Sequence, residues 1–415
     1  MFTMLIPEIE SKNLWLLAKI NYKDSETEMK ILSVVGARPN FMKIAPFIRA
    51  IVEYNKNCSE QIDHVLVHTG QHYDDRMSKA FFKALNIPDA DINLGVGSGS
   101  HAEQVGHTMI EFEKVIRQEK PDWVVVVGDV NATCACSITA KKEHVRCAHI
   151  EAGLRSRDMT MPEEINRLVT DRLSDLLLTP DLLSNANLIQ EGVDKSQIKF
   201  VGNIMIDTLE EQRGTAKDLD PVSIVKDTAI EGQPGMTVAM RELINSGKMA
   251  VMTMHRPSNV DKQSVLSAII DFLVHDVASE MPLLWPVHPR AKNQLLAFDL
   301  WDKVTQCENL ILMDPIGYHE MLRLNMDARV MLTDSGGLQE ECCVLGTPCL
   351  TLRWNTERPI TLREHGGASV LVGNSIELMR KEYRETLTMN RTPARPELWD
   401  GKTAPRIVKA LVEYE

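Results

Sequence analysis

Residues 123–128 read Trp123-Val124-Val125-Val126-Val127-Gly128. An unbroken apolar, β-branched run stopped by glycine is what a strand buried on both faces requires. A helical pattern follows it, and the alternation recurs along the chain. Strands are expected near 31–35 (ILSVV), 64–68, 147–151, 175–179 and 198–201. A second group is expected near 249–254 (MAVMTM), 282–287, 310–313, 329–333 (RVMLT), 349–352 and 369–372. Continuous apolar strands alternating with helices imply parallel sheets covered on both faces. Six strands in each half predict two doubly wound α/β domains of similar plan.

The chain has 415 residues, 44% hydrophobic and 25% charged, enough for two cores. Residues 1–28 carry Glu10, Lys12, Lys19 and Asp24 among their apolar residues, unlike a signal peptide, and are taken as an extension. The expected domains span 29–205 and 206–395, with a last helix in 396–415 that could pack on either. Between them the polar stretch 212–247 shows no clear strand. A net charge of −12 argues against a nucleic-acid surface, and no transmembrane run is present. The eight cysteines lack zinc-finger spacing, so buried reduced thiols in a cytoplasmic protein are expected.

Ligands of open parallel sheets bind beyond the carboxyl ends of the strands. Nearly every such end here is polar. The first runs into Gly36-Ala37-Arg38-Pro39-Asn40, followed by Lys43; the second into Thr69-Gly70-Gln71-His72. The third ends on Gly128-Asp129 and the fourth on Glu151. Between Glu151 and Arg167, four acids and three arginines crowd around one strand-to-helix connection, where Pro162-Glu163-Glu164 opens the helix. In the second half the ends carry His255-Arg256-Pro257, His288-Pro289-Arg290 and Asp334-Ser335-Gly336-Gly337. The double glycine before a helix lets a phosphate reach free backbone N–H groups, with Ser335 as a further donor. Glu341, about one and a half turns on, is placed to accept from ribose hydroxyls. Neither GxGxxG after the first strand nor a P-loop is present, which disfavours NAD and ATP sites.

As an ordered set these strings resemble the non-hydrolysing UDP-N-acetylglucosamine 2-epimerases. They are Gly36-Ala-Arg-Pro with Lys43, Gly128-Asp129, His149-Ile-Glu-Ala-Gly-Leu-Arg155, Pro162-Glu-Glu-Ile-Asn-Arg167, His255-Arg256, His288-Pro289, Asp334-Ser-Gly-Gly-Leu-Gln-Glu-Glu341 and Thr356-Glu-Arg-Pro359. The resemblance covers roughly 30–412 and implies a GT-B fold, two Rossmann-like domains with the site in the cleft, usually as a homodimer. It implies Asp129, Glu151, Glu163 and His255 as catalytic residues. Arg38, Lys43, Arg155, Arg256, His288, Ser335, Gly336, Gly337, Glu341 and Arg358 would bind a UDP-N-acetylhexosamine. No metal or other cofactor is implied. Glu164 is expected to help the helix start.

The chain departs from many members in its short loop Ser156–Met161, with Met161 in place of an aromatic, and in Met321 near the expected uracil position. In some members this region helps build a second, activating nucleotide-sugar site; Gln71 and His72 are the candidates for it here. The alternatives are an epimerase for a modified sugar such as a UDP-diacetamido-uronate, a hydrolysing epimerase, and a GT-B glycosyltransferase. Thr356–Pro359 favours the simple N-acetylglucosamine enzyme, and the cluster of acids argues against a transferase.

Overall fold

The apolar runs become strands because their alternate side chains can be buried on opposite faces of a covered sheet. The architecture is that of a computed structural model, which describes residues 28–70 and 89–414. The first sheet contains β1 (Glu28–Val35), β2 (Gln61–His68), β3 (Ile92–Asn93), β4 (Trp123–Val127), β5 (Arg146–Ile150), β6 (Leu176–Thr179) and β7 (Ile198–Phe200). Its order is β3-β2-β1-β4-β5-β6-β7, and the pairing is parallel throughout. The second contains β8 (Ala250–Thr253), β9 (Leu283–Pro286), β10 (Leu310–Met313), β11 (Val330–Thr333), β12 (Cys349–Thr351) and β13 (Ser369–Leu371). Its order, β10-β9-β8-β11-β12-β13, is again parallel.

The twelve expected strands are present. The seventh member of the first sheet, β3, is a two-residue edge strand, too short for any periodicity to reveal. The polar stretch 212–247 holds the helices Pro221–Thr228 and Val238–Asn245, with one isolated bridge from Ala229 to Met313.

In each sheet the strand order reverses at the centre, beside β1 and β4 and beside β8 and β11. Such switch points leave a crevice at the carboxyl ends, where connections part to opposite faces. Six helices position the residues at these edges or close the cores beneath them: α1 (Arg38–Asn57), α2 (Asn131–Lys142), α3 (Pro162–Leu173), α4 (Ile204–Lys217), α5 (Gly336–Leu345) and α6 (Thr403–Val412). Pro39 and Pro162 lie in the first turns of α1 and α3, where a missing N–H costs nothing.

The last helix, α6, packs on the first sheet. Its Ala404, Ile407, Val408 and Leu411 join Ile31, Phe47 and Val125 in one core. Burying Ile407, Val408 and Leu411 contributes roughly 5–9 kcal/mol as an upper figure. Asp207 of α4 caps α6, accepting from the backbone N–H of Thr403 at 3.0 Å and Ala404 at 2.7 Å. Among the described residues no helix is long and apolar enough to cross a membrane.

Candidate active site

The carboxyl edge of the first sheet is built around Gly128, which follows β4 with φ +69°. The positive φ favours glycine there, and a Cβ would also crowd Lys43 Nζ at 3.2 Å and Asn40 Nδ2 at 3.3 Å. Asn40 accepts from the N–H groups of Gly36 and Ala37 and donates to the Val127 carbonyl at 2.8 Å. It thereby fixes the start of α1 against the end of β4. Lys43, one turn on, donates to Glu151 Oε2 at 2.5 Å. Both side chains are buried, and among the described residues Glu151 Oε1 has no hydrogen-bond partner. Glu151 also has φ +71°, a strained value for a non-glycine residue that persists only where its surroundings enforce it.

Asp129 is partly exposed and paired with Arg167 of α3, while Asn166 donates to its backbone carbonyl at 2.9 Å. Arg167 also bonds Glu164 at 2.6 and 3.0 Å. Glu164 does more than support the helix start expected of it. Buried, it accepts from Ser156 N–H and Oγ–H, both at 2.9 Å, and from Arg157 N–H at 2.8 Å. It therefore ties the short loop to α3. Burial opposes its charge, but these donors and Arg167 hold its carboxyl below the usual range. Glu163 stands exposed in the first turn of α3, free of that network's geometry.

Arg155 is not brought to the cleft. Its guanidinium forks onto Glu191 at 2.8 and 2.6 Å and onto buried Asp171 at 2.7 Å, which assigns it to holding the fold together.

The second sheet answers with a hub at Asp334, fully buried after β11. Its carboxylate accepts from the N–H groups of His255 and Arg256, from Asn259 Nδ2 at 3.1 Å and from His255 Nδ1 at 2.8 Å. Burial works against the ionised form, yet His255 and the two N–H groups keep its pKa below the ordinary value. His255 is left 43% exposed, its ring 5.4 Å from that of His288. His288 Nδ1 accepts from Arg290 N–H, so its hydrogen lies on Nε2 when neutral. Burial and then His255 push the His288 pKa down.

Ser335 stands at the N-cap of α5, but its side chain caps nothing among the described residues. Ser335, Gly336 and Gly337 are only half-buried, and Ser335 leaves the first N–H groups of α5 without its cap. A Cβ on Gly336 would fall 2.6 Å from an Arg358 nitrogen, whereas one on Gly337 meets no described atom within 4 Å. Arg358 lies 2.8 Å from Glu340 and is paired with Glu357. Burial alone would lower its pKa; Glu340, Glu357, Glu151 and Asp129 raise it well above the ordinary value. Glu341 is less open than a ribose ligand needs in the free protein. It is buried beside Tyr318, its Oε2 has no partner among the described residues, and burial pushes its pKa up to about 7.

The two edges face each other. Arg358 of the second half feels Glu151 and Asp129 of the first, and Arg256 feels Glu163. Asn355 donates to Asp158 at 3.3 Å across the same divide. Of the expected residues, Lys43, Asp129, Glu151, Glu163, Arg256 and Arg358 share this cross-cleft array, with His255, His288 and the Ser335–Gly337 turn on its second-half side. Arg38 lies at the start of α1, its side chain outside the described part; Gln71 and His72 lie outside the described residues. Asp171 and Arg353 were not singled out from sequence, and Asn40 and Arg167 stood in its motifs without an assigned role. Arg353, buried, donates to Glu357 at 2.6 Å and opposes Arg256 electrostatically. Asn40, three residues after the N-cap of α1, was the one with a local signal. Among the described residues no group of His, Cys, Asp and Glu could hold a metal ion.

Comparison with known proteins gives the family. The family model described as UDP-N-acetylglucosamine 2-epimerase matches residues 56–412. The UDP-N-acetylglucosamine 2-epimerase of Methanocaldococcus jannaschii is 38% identical over 385 residues, 92% of this chain and 99% of that one. The UDP-2,3-diacetamido-2,3-dideoxy-D-glucuronate 2-epimerase of Pseudomonas aeruginosa is 37% identical over 365 residues, 86% of this chain and 92% of the relative. A crystal structure of the M. jannaschii enzyme in complex with UDP-GlcNAc and UDP superposes with a TM-score of 0.80, covering 92% of this chain and 99% of that one at 38% identity. The two facing parallel sheets are a GT-B fold, and the chain is an epimerase belonging to the UDP-N-acetylglucosamine 2-epimerase family.

Proposed function

We propose that the protein interconverts UDP-N-acetylglucosamine and UDP-N-acetylmannosamine without hydrolysis. The observation that carries this is the facing of Asp129, Glu151 and Glu163 by Arg256, Arg358 and the open start of α5. The C2 hydrogen of the substrate is not acidic, because no carbonyl adjoins C2. Breaking the C1–O bond to UDP develops positive charge at C1 and acidifies it. UDP leaves with the bonding electron pair, and a carboxylate takes the C2 proton, giving a 2-acetamidoglucal. A proton then returns to the opposite face of C2 while a UDP oxygen re-forms the bond to C1. Carboxylates beside the sugar and donors beside the diphosphate supply what this path needs. Asp129 and Glu163 are the acid/base candidates, with Glu151 near the sugar. His255, the Ser335–Gly337 turn and Arg358 hold the diphosphate. The unpartnered Glu341 Oε2 would accept from ribose once its surroundings open. A cytoplasmic homodimer completes the proposal.

The test is incubation with UDP-N-acetylglucosamine in D2O, followed by NMR. Deuterium at C2 of an intact UDP-sugar is expected; free N-acetylmannosamine with UDP, or no exchange, refutes the proposal. Glu163→Gln is expected to keep UDP binding and lose exchange by roughly 10²–10⁴-fold. The P. aeruginosa relative supports a second reading, in which the sugar is a diacetamido-uronate. Offering both UDP-sugars separates them: exchange confined to the uronate would replace the first reading.

A further inference from the structure

We infer that His149, held by Asp171, is a positioning residue for the acids at the sugar side, working through the Gly128 carbonyl. The inference rests on the epimerase reading and concerns residues that reading does not use. His149 lies in β5 with no exposed surface. Its Nε2 is 2.8 Å from the carbonyl oxygen of Gly128, and its Nδ1 is 2.6 Å from Asp171 Oδ1. A carbonyl oxygen only accepts, so the ring must present Nε2–H to Gly128. That carbonyl belongs to the peptide joining Gly128 to Asp129; its orientation sets where Asp129 starts.

Asp171 has a second connection. Its Oδ2 accepts from the N–H of Gly153 at 3.0 Å and from Arg155 at 2.7 Å. One buried carboxylate thus fixes the Glu151–Gly153 turn directly and the Gly128–Asp129 peptide through the ring. Of the two segments the first carries a strained residue, Glu151 at φ +71°, while Gly128 and Gly153, at +69° and +83°, hold left-handed conformations that glycine adopts freely. Strained values of this kind survive where surrounding bonds over-determine them. Asp171 and His149 supply those bonds to two acid-bearing loops at once. Neither side chain reaches the cleft surface, so the role is positioning and not proton transfer to substrate.

A merely structural histidine would affect folding and every kinetic parameter together. His149→Phe keeps much of the volume and removes both hydrogen bonds. It is expected to lower kcat for C2 exchange on the order of 10²-fold, the effect of an ångström-scale misplacement. UDP affinity and KM should stay within a few-fold of wild type, because the diphosphate is held from the second sheet. Asp171→Asn can accept from Gly153 and Arg155 through its oxygen and donate to Nδ1 through its amide. It should therefore retain most of the kcat that Asp171→Ala loses. An unchanged kcat in His149→Phe, or equal losses of kcat, UDP affinity and unfolding midpoint, would overturn the inference. If His149→Phe does not fold, the ¹⁵N spectrum of the wild-type ring decides: Nε2 protonated supports it, and Nε2 unprotonated overturns it. Absence of C2 exchange in the wild type would sink the epimerase reading instead, and the ring spectrum would still stand.

Discussion

Gly337→Ala separates ligand binding from folding at the start of α5. Gly337 is the second residue of that helix, and a methyl group there meets no described atom within 4 Å. Replacing glycine by alanine in a helix gains about 0.5–1 kcal/mol, so the free protein should be as stable or slightly more so. The Cα–Cβ bond of a helical residue leans towards the helix N-terminus, here towards the uncapped N–H groups. A phosphate seated on those groups would meet the new methyl. Losing one hydrogen bond to a charged group costs about 1.5–3 kcal/mol, or roughly 10- to 100-fold in affinity. Calorimetric titration with UDP and urea unfolding of the same preparation give the two readouts. Gly336→Ala is the contrasting variant. Its Cβ would lie 2.6 Å from Arg358 and 2.8 Å from Glu357, so stability should fall by about 1–3 kcal/mol. Wild-type UDP affinity in Gly337→Ala would refute the assignment of this turn to the diphosphate.

Other outcomes follow from the same geometry. Lys43→Met leaves Glu151 without its near cation and should cost about 3–5 kcal/mol in urea unfolding, largely recovered in Lys43→Met/Glu151→Gln. Arg155→Ala should destabilise the fold while leaving UDP titration unchanged, since its donors go to Glu191 and Asp171; weakened UDP binding at full stability would return it to the site. Burial raises Glu341 from 4.5 to about 7, so the folded protein keeps a proton that the unfolded chain releases in that window. Stability of the free protein should therefore fall as pH rises through this range and level off above it, by roughly 3 kcal/mol. Glu341→Gln should flatten that profile in urea midpoints measured against pH.

The strands were legible because each buried run is continuous, apolar and bounded by turn residues, as in Trp123–Gly128. Edge strand β3 was not, having two residues and no period. The polar strand ends were legible as candidates because parallel sheets present them on one edge, and the structure gathers most of them there. What sequence could not give was partnership. Arg155 looks like an anion binder until Glu191, 36 positions on, takes its guanidinium. Asp171 sits inside a helix with no local sign that it serves His149, 22 residues away. Glu164 looked like a helix-start acid because its neighbours in space, Ser156 and Arg157, lie in a loop whose path only the fold determines.

The placement of α6 bears on the order in which the molecule is made. All strands of the first sheet are encoded before residue 201, yet one face of that sheet is completed by Ala404, Ile407, Val408 and Leu411. During synthesis those side chains emerge after every strand of the second sheet. The first half therefore waits, its core open, while the whole of the second half leaves the ribosome. Nascent chains usually mature from the N-terminus onward. Here the second sheet can close on residues made together, and the first closes only once residues 404–411 have followed them.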